Sequence, residues 1–127
     1  MQELKAESSI RSTKSTSIYS YLQLSFLFLT PGLNPLHSVC ILSHNCPEWF
    51  ISDVAAIFCG SFACGLYPTN SDASNKFILN DSRTDIVVCG SDDQVRKILA
   101  AKPELEYVKK IVQIEGDVTV EDPDVLR

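Results

Sequence analysis

Short apolar runs alternate with helix-forming segments between residues 36 and 116, and this alternation constrains the fold more than any other feature. We predict strands at 39–42, 64–67, 85–89 and 109–114, with three helices between them. The run at 85–89 is almost continuously apolar, which is typical of a strand covered on both faces. Because strands that alternate with helices form right-handed crossovers, the pattern predicts an α/β fold in the order β-α-β-α-β-α-β. The sheet should be largely parallel, with flanking helices.

Capping residues predict where the three helices begin. Asn45 and Glu48 have the spacing of a capping box, and Pro47 is tolerated in a first turn. Asn70 or Ser71 can cap the second helix. The third helix has a second capping box at 91–94 and should stop at Pro103.

Apolar residues at helical spacing predict the inward faces. In the first helix these are Phe50, Val54, Ile57 and Phe58. In the second helix they are Ala73, Phe77 and Ile78, and in the third Val95, Ile98 and Leu99.

Length and charge limit the function. A chain of 127 residues is enough for one domain, and 45% hydrophobic residues argue against wholesale disorder. The net charge of −5, without a basic stripe, makes nucleic acid a poor partner. We expect three parts: an atypical N-terminal arm (1–31), an α/β region (32–116) and an acidic, frayed tail (117–127).

An apolar segment at 18–29 lies within the arm. It has the outline of a secretory signal, but acidic residues dilute its positive start, no small-x-small cleavage site follows, and twelve residues are too few to span a bilayer. Three interpretations stay open: a signal or anchor, an amphipathic or buried element, or poorly placed sequence.

The cysteines indicate a reducing compartment. Their number is odd and they form no CxxC pair. Cys40, His44 and Cys46 come nearest to a metal cluster, but the spacing matches no familiar zinc module and one ligand would be missing. We therefore predict no metal site, and reduced thiols that behave as small apolar residues.

Other candidate residues have plain structural interpretations. Gly60 and Gly65 lack the Lys-Ser/Thr of a phosphate loop and suit a helix end and a turn. His37 and His44 flank the first strand as loop-end residues. Asp92 and Asp93 suit a helix N-terminus, and Trp49-Phe50 suit a core. We predict no catalytic, cofactor-binding or metal-binding residue.

Residues 37–50, HSVCILSHNCPEWF, resemble an early segment of acyl-CoA synthetases of the adenylate-forming superfamily, with its V-x-I-L-x-x-N-x-P-E-W pattern. AAIF at 55–58, GLYPTNS at 65–71, NDSR at 80–83 and IVV at 86–88 continue the resemblance. It runs from about Gly32 to about Ile114 and is greatest to the bubblegum-type long-chain synthetases. The fold it implies is part of the N-terminal subdomain of an adenylate-forming enzyme.

The resemblance implies a partial long-chain fatty acid–CoA ligase. Its complete parent would activate long-chain fatty acids as acyl-adenylates, using ATP, Mg²⁺ and coenzyme A. In that family the phosphate loop, the adenine-binding segment and the catalytic lysine lie downstream of the part matched here. We therefore expect this chain alone to bind no cofactor and to be inactive. We expect a cytoplasmic location, with peripheral attachment at the endoplasmic reticulum membrane as a further option. The alternative is a non-enzymatic partner-binding module, and in either case an exposed sheet edge or face would favour self-association.

Overall fold

The computed structural model describes residues 22–25 and 32–126, and the latter range contains one five-stranded sheet. The strands are β1 (Ser38–Leu42), β2 (Phe62–Leu66), β3 (Thr84–Cys89), β4 (Lys110–Gln113) and β5 (Val125–Leu126). The helices are α1 (Pro47–Phe58), α2 (Asp72–Asp81) and α3 (Asp92–Ala101), followed by a 3-10 turn at Lys102–Glu104. All neighbouring strands are parallel, in the order β2-β1-β3-β4-β5. The predicted α/β fold is confirmed.

The strand order places the helices on both faces of the sheet. The chain moves from β1 to β2 in one direction, then returns past β1 to β3 and continues to β4. Right-handed crossovers therefore put α1 on one face and α2 with α3 on the other. The side chains of β1 divide accordingly: Val39 and Ile41 pack with α1, whereas Cys40 and Leu42 pack with α2 and α3. Every residue of β1 and β3 is buried, as their continuous apolar character predicts.

The predicted inward face of α1 is wrong. The buried residues are the small ones, Ser52, Ala55 and Ala56, whereas Phe50, Ile57 and Phe58 are 56%, 58% and 61% exposed. Small side chains let the helix backbone approach the sheet closely, and the sheet already supplies bulky residues at this contact. The close approach of α1 to the sheet thus outweighs the burial of the larger apolar side chains of this helix.

All three helices begin where the sequence predicts, at Pro47, Asp72 and Asp92, but the capping residues agree in only two of the three cases. Ser71 caps α2 and Ser91 caps α3, the latter in a complete capping box with Gln94. The predicted cap of α1 is wrong, since Cys46 occupies the cap position without a side-chain hydrogen bond.

The predicted inward face is largely wrong for α2 and is confirmed for α3. In α2 the buried residues are Asn75 and Leu79, while the predicted Ala73 and Phe77 are exposed. In α3 Val95 and Ile98 are buried as predicted, and Leu99 is half-buried.

The expectation of a frayed tail is wrong at its end. Val125 and Leu126 form β5, which pairs with Ile111 and Val112 of β4. Asp124 holds this segment through ion pairs with Lys102 and Lys110.

The second strand lies slightly earlier in the chain than predicted. The prediction places it at 64–67, whereas β2 begins at Phe62 and ends before Tyr67.

The apolar segment at 18–29 lies outside the described residues except for 22–25, and the interpretations of the rest of the arm stay predictions. Residues 22–25 are helical; Leu24 packs against the α1 face of the core, and Ser25 Oγ donates to the carbonyl of Ala55 at 3.4 Å. Among the described helices none has the length and apolar character needed to cross a membrane.

Candidate functional site

The carboxyl ends of β1 and β3 form the topological switch point of the sheet, because the chain connections that follow these two strands run to opposite faces. Open α/β sheets bind ligands at such a point. Here that position is closely packed. The backbone N–H of Gly90 donates to the Leu42 carbonyl at 2.9 Å. A Cβ atom at position 90 would lie only 2.6 Å from Ser43 Oγ. Glycine thus permits β1 and β3 to meet directly at this end.

A cleft lies beside that contact, at the carboxyl ends of β1 and β2. Its volume is about 620 Å³. The loop after β1, the first turn of α1 and the end of β2 provide its walls. The lining residues are Ser43, His44, Asn45, Trp49, Gly65, Leu66, Tyr67 and Pro68. The sequence placed His44 at a loop end, and the structure shows that this loop end faces the cleft.

Aromatic and neutral polar groups dominate the cleft. Trp49 is half-buried and lies over β2, where a Cβ built on Gly65 would be 3.7 Å from the indole. Tyr67 and His44 are exposed. The lining residues offer an indole, a phenol, an imidazole and an amide, and none of them carries a carboxylate or an ammonium group. Such a set can stack on and hydrogen-bond to a ligand, and it lacks an acid to orient the imidazole as a general base.

The other histidine lies at the opposite end of the sheet. His37 Nδ1 lies 2.9 Å from Asp85 Oδ1, and the second oxygen of Asp85 accepts from the backbone N–H of Asn34 at 2.8 Å. Tyr107 meets the imidazole edge-on, with ring centroids 5.4 Å apart. Sequence reasoning missed this pair because 48 residues separate its members. The contacts anchor the loop before β1 to the start of β3.

Cys40, His44 and Cys46, which come nearest to a metal cluster in the sequence, do not form a ligand group among the described residues. Cys40 is fully buried and contacts Thr84, so it faces the core. Cys46 instead comes together with Glu48 and Glu115, whose ligand atoms lie within 4.8 Å of one another and of its sulfur. Glu115 follows β4 and is exposed, so spacing along the chain could not reveal this group.

The two glycines and Asp92 have local roles. Gly60 ends α1 with φ of +74°, which confirms the helix-end interpretation, whereas Gly65 lies inside β2 and not in a turn. Asp92 at the start of α3 pairs with Arg96 at 2.9 Å and accepts from the backbone N–H of Thr119. Hydrogen bonding to Thr119, together with Arg96, lowers the pKa of Asp92. The structural interpretation of Asp92 is confirmed.

The burial of the remaining predicted and reactive groups is mixed. Trp49 packs against the core as predicted, but Phe50 beside it is mostly exposed.

Burial raises the pKa of the Cys89 thiol to about 12, and it also raises the pKa of the Cys59 thiol.

The sequence of this chain is similar to that of a known family of enzymes. Residues 22–125 match the AMP-binding enzyme family. The chain is 37% identical over 98 residues to the long-chain-fatty-acid–CoA ligase ACSBG2 of Xenopus laevis, a match that covers 77% of this chain and 13% of the relative. It is 41% identical over 85 residues to the long-chain-fatty-acid–CoA ligase ACSBG1 of Bos taurus, covering 67% and 12%.

A solved ligase structure shares the fold. Coronafacic acid ligase from Pectobacterium brasiliense superimposes with a TM-score of 0.72 at 12% sequence identity, over 87% of this chain and 22% of that protein. The chain spans only 12–13% of the length of the two ligases, ACSBG2 and ACSBG1, that it matches in sequence. The similarity to the bubblegum-type ligases agrees with the motifs at 37–50 and 65–71. The family match, which covers all five strands except the last residue of β5, shows that the chain belongs to the AMP-binding enzyme family.

Proposed function

We propose that this chain supplies the N-terminal α/β layer of a long-chain-fatty-acid–CoA ligase. The observation that carries the proposal is its 37–41% identity to the ligases ACSBG2 and ACSBG1. In the complete enzyme a long-chain fatty acid is activated as its acyl-adenylate, and the acyl group then passes to coenzyme A. The layer provides a rigid two-faced sheet and the cleft beside Trp49 and Tyr67.

ATP, Mg²⁺ and coenzyme A belong to the complete enzyme in this proposal. Stabilising a transferring phosphoryl or adenylyl group takes preorganised donors and cations. The cleft is lined by His44, Asn45 and aromatic rings, and its lining residues include no lysine or arginine. We therefore assign no cofactor contact to the described residues. The enzyme works in the cytoplasm or at the periphery of the endoplasmic reticulum membrane.

A chimera tests the assignment. Residues 32–116 replace the corresponding segment of the Bos taurus ligase ACSBG1, and palmitoyl-CoA formation is followed with radiolabelled palmitate, ATP and coenzyme A. Since core positions tolerate apolar exchange of similar volume, activity should stay within about tenfold of the parent. The same chimera with Ile41→Asp, a charge at a fully buried position, is the inactive control. A folded, soluble chimera without activity would contradict the proposal.

The 127-residue chain alone should give no ATP-dependent palmitoyl-CoA above a heat-treated control. ATP-dependent product from the chain would refute the assignment of catalysis to the rest of the enzyme.

A non-enzymatic module that binds a protein partner is the second candidate. The observation that favours it is the edge position of β2, where Phe62 is 44% exposed. An active chimera would favour the ligase, because a partner-binding module has no reason to support acyl activation.

A further inference from the structure

Two cysteines face each other across the first two strands. Cys40 of β1 and Cys64 of β2 are register partners, and both contribute to the α2/α3 side of the core. Neighbouring strands lie about 4.8 Å apart, and disulfides join Cα atoms that are about 4.4–6.8 Å apart. Opposite residues of parallel strands also project to the same face. The backbone therefore places this pair within bonding range.

The two thiols differ in access. Cys40 is fully buried, whereas Cys64 is half-buried and belongs to an edge strand. Hydroxyl groups surround the buried thiol: Thr84 Oγ1 lies 2.9 Å and Ser82 Oγ 3.7 Å from Cys40 Sγ. An oxidant from solvent thus reaches Cys64 first and finds Cys40 directly behind it.

The electrostatics support the same division. A hydrogen bond from the Cys40 thiol, helped by Ser82 and opposed by burial, lowers the pKa of Cys64 to about 6. The neighbouring Cys64 and burial together raise the pKa of Cys40. The lowered pKa favours the thiolate, which is the nucleophilic form, at Cys64, and the raised pKa favours the protonated thiol at Cys40.

We propose that Cys40 and Cys64 form a peroxide-responsive dithiol, in which Cys64 is oxidised first and Cys40 converts it to an interstrand disulfide. The Cys64 thiolate attacks hydrogen peroxide, so that an S–O bond forms, the O–O bond breaks and hydroxide leaves and is protonated to water. The Cys40 sulfur then attacks the sulfenic acid at Cys64. An S–S bond forms, the S–O bond breaks, and the hydroxyl group leaves as water with the Cys40 proton. Two thiols are oxidised and one peroxide is reduced to two waters.

The bridge would fasten β2 to β1 next to the cleft. Gly65 and Leu66 follow Cys64 directly and line that cleft. The dithiol is independent of the proposed ligase function, since it rests only on residues of the first two strands and their neighbours.

Peptide mapping of the oxidised chain tests the proposal. The 127-residue chain is treated with hydrogen peroxide at pH 7, its remaining thiols are alkylated, and chymotrypsin is used because aromatic and leucine sites separate the cysteines at 40, 46, 59 and 64. We expect the Cys40–Cys64 bridge to be the first and predominant crosslink. Cys64 should be oxidised before the other cysteines, because its pKa is lowered whereas burial raises the pKa values of Cys59 and Cys89.

Three variants sharpen the result. Cys64→Ser should abolish the crosslink at Cys40, and Cys40→Ser should leave a sulfenic acid at Cys64 that a dimedone probe captures. Cys89→Ser, at a buried cysteine on the same core face, should leave the Cys40–Cys64 bridge unchanged. The proposal is overturned if Cys46 or Cys59 pairs with Cys40 as often as Cys64 does, or if Cys64 oxidises without engaging Cys40. Mapping of the unsubstituted chain decides the matter even if a variant does not fold.

Discussion

Asp85 is the clearest example of a single residue whose role depends on the tertiary fold. It is 1% exposed, yet both carboxylate oxygens have partners, in His37 and the backbone N–H of Asn34. Lys109 Nζ lies 3.8 Å from it and also donates to the Gly32 carbonyl at 2.8 Å. One buried carboxylate therefore fixes the loop at 32–37 and the start of β4 at once.

Removing that carboxylate should be costly. Asp85→Ala leaves a half-buried imidazole and a backbone donor without their acceptor, so the free energy of unfolding should fall by about 2 kcal/mol. Urea unfolding followed by circular dichroism measures it. Asp93→Ala, at an exposed aspartate in the first turn of α3, is the matched control and should change stability by less than about 1 kcal/mol. Equal losses in the two variants would contradict this role of Asp85.

Asp124 should make the stability of the chain depend on pH at the acid end. Its hydrogen bonds to Lys102 and then to Lys110 lower its pKa from 3.8 to about 2. A carboxylate with a lowered pKa stabilises the fold above its unfolded value, so this stabilisation is present above about pH 4 and is lost as the pH falls to about 2. The side chain is 34% exposed, so solvent screening limits the effect to about 1 kcal/mol.

Acid titration of Asp124→Asn tests this dependence. The variant should be less stable than the parent at pH 6, and most of the difference should be lost by pH 2. A difference that persists undiminished at pH 2 would show that Asp124 acts through something other than its charge.

At the scale of elements, contacts between main chains decide where large side chains are allowed. α1 lies against the sheet through Ser52, Ala55 and Ala56, and β3 meets β1 through Gly90. In both places a small residue permits close approach, and bulk is placed elsewhere. Helical periodicity alone favours the larger apolar residues, which is why it gave the wrong face for α1.

Two glycines at the carboxyl ends of the strands should respond differently to alanine. Gly90→Ala places a methyl group 2.6 Å from Ser43 Oγ and should cost about 2 kcal/mol, because a packed contact must open. Gly65→Ala, whose methyl would lie 3.7 Å from Trp49, is the matched control and should be nearly neutral. Ser43→Ala in the Gly90→Ala background should recover part of the loss. Thermal unfolding of the four proteins measures this, and an equal loss at the two glycines would refute the packing argument.

For the molecule as a whole, the central strands β1 and β3 are covered on both faces, whereas large apolar side chains are exposed around them. Both faces of β1 and β3 are buried, yet Ile57, Phe62 and Phe77 are 58%, 44% and 69% exposed. They occupy three different elements: α1, the edge strand β2, and α2. Exposed apolar side chains, together with a strand at the edge of the described sheet, favour association between chains.

The chain should therefore bind a hydrophobic dye and self-associate as its concentration rises. Phe62→Lys places a charge on the β2 edge and should reduce self-association in size-exclusion chromatography. Phe77→Lys, on the outer surface of α2, is the control for charge alone and should have a smaller effect. A compact monomer at every concentration, without dye binding, would contradict this expectation.

The α/β order, the two buried strands, the capped starts of α2 and α3 and the family resemblance can all be predicted from the amino-acid sequence. They depend on local patterns, because apolar runs, capping boxes and sequence motifs each lie within a few neighbouring residues. Long-range packing, in contrast, sets which face of α1 is buried, adds a strand at 125–126 and brings His37 to Asp85. The cleft and the Cys40–Cys64 pair also belong to this second group. Each depends on residues brought together from separate segments, and the strand order that brings them together is set by packing across the whole sheet.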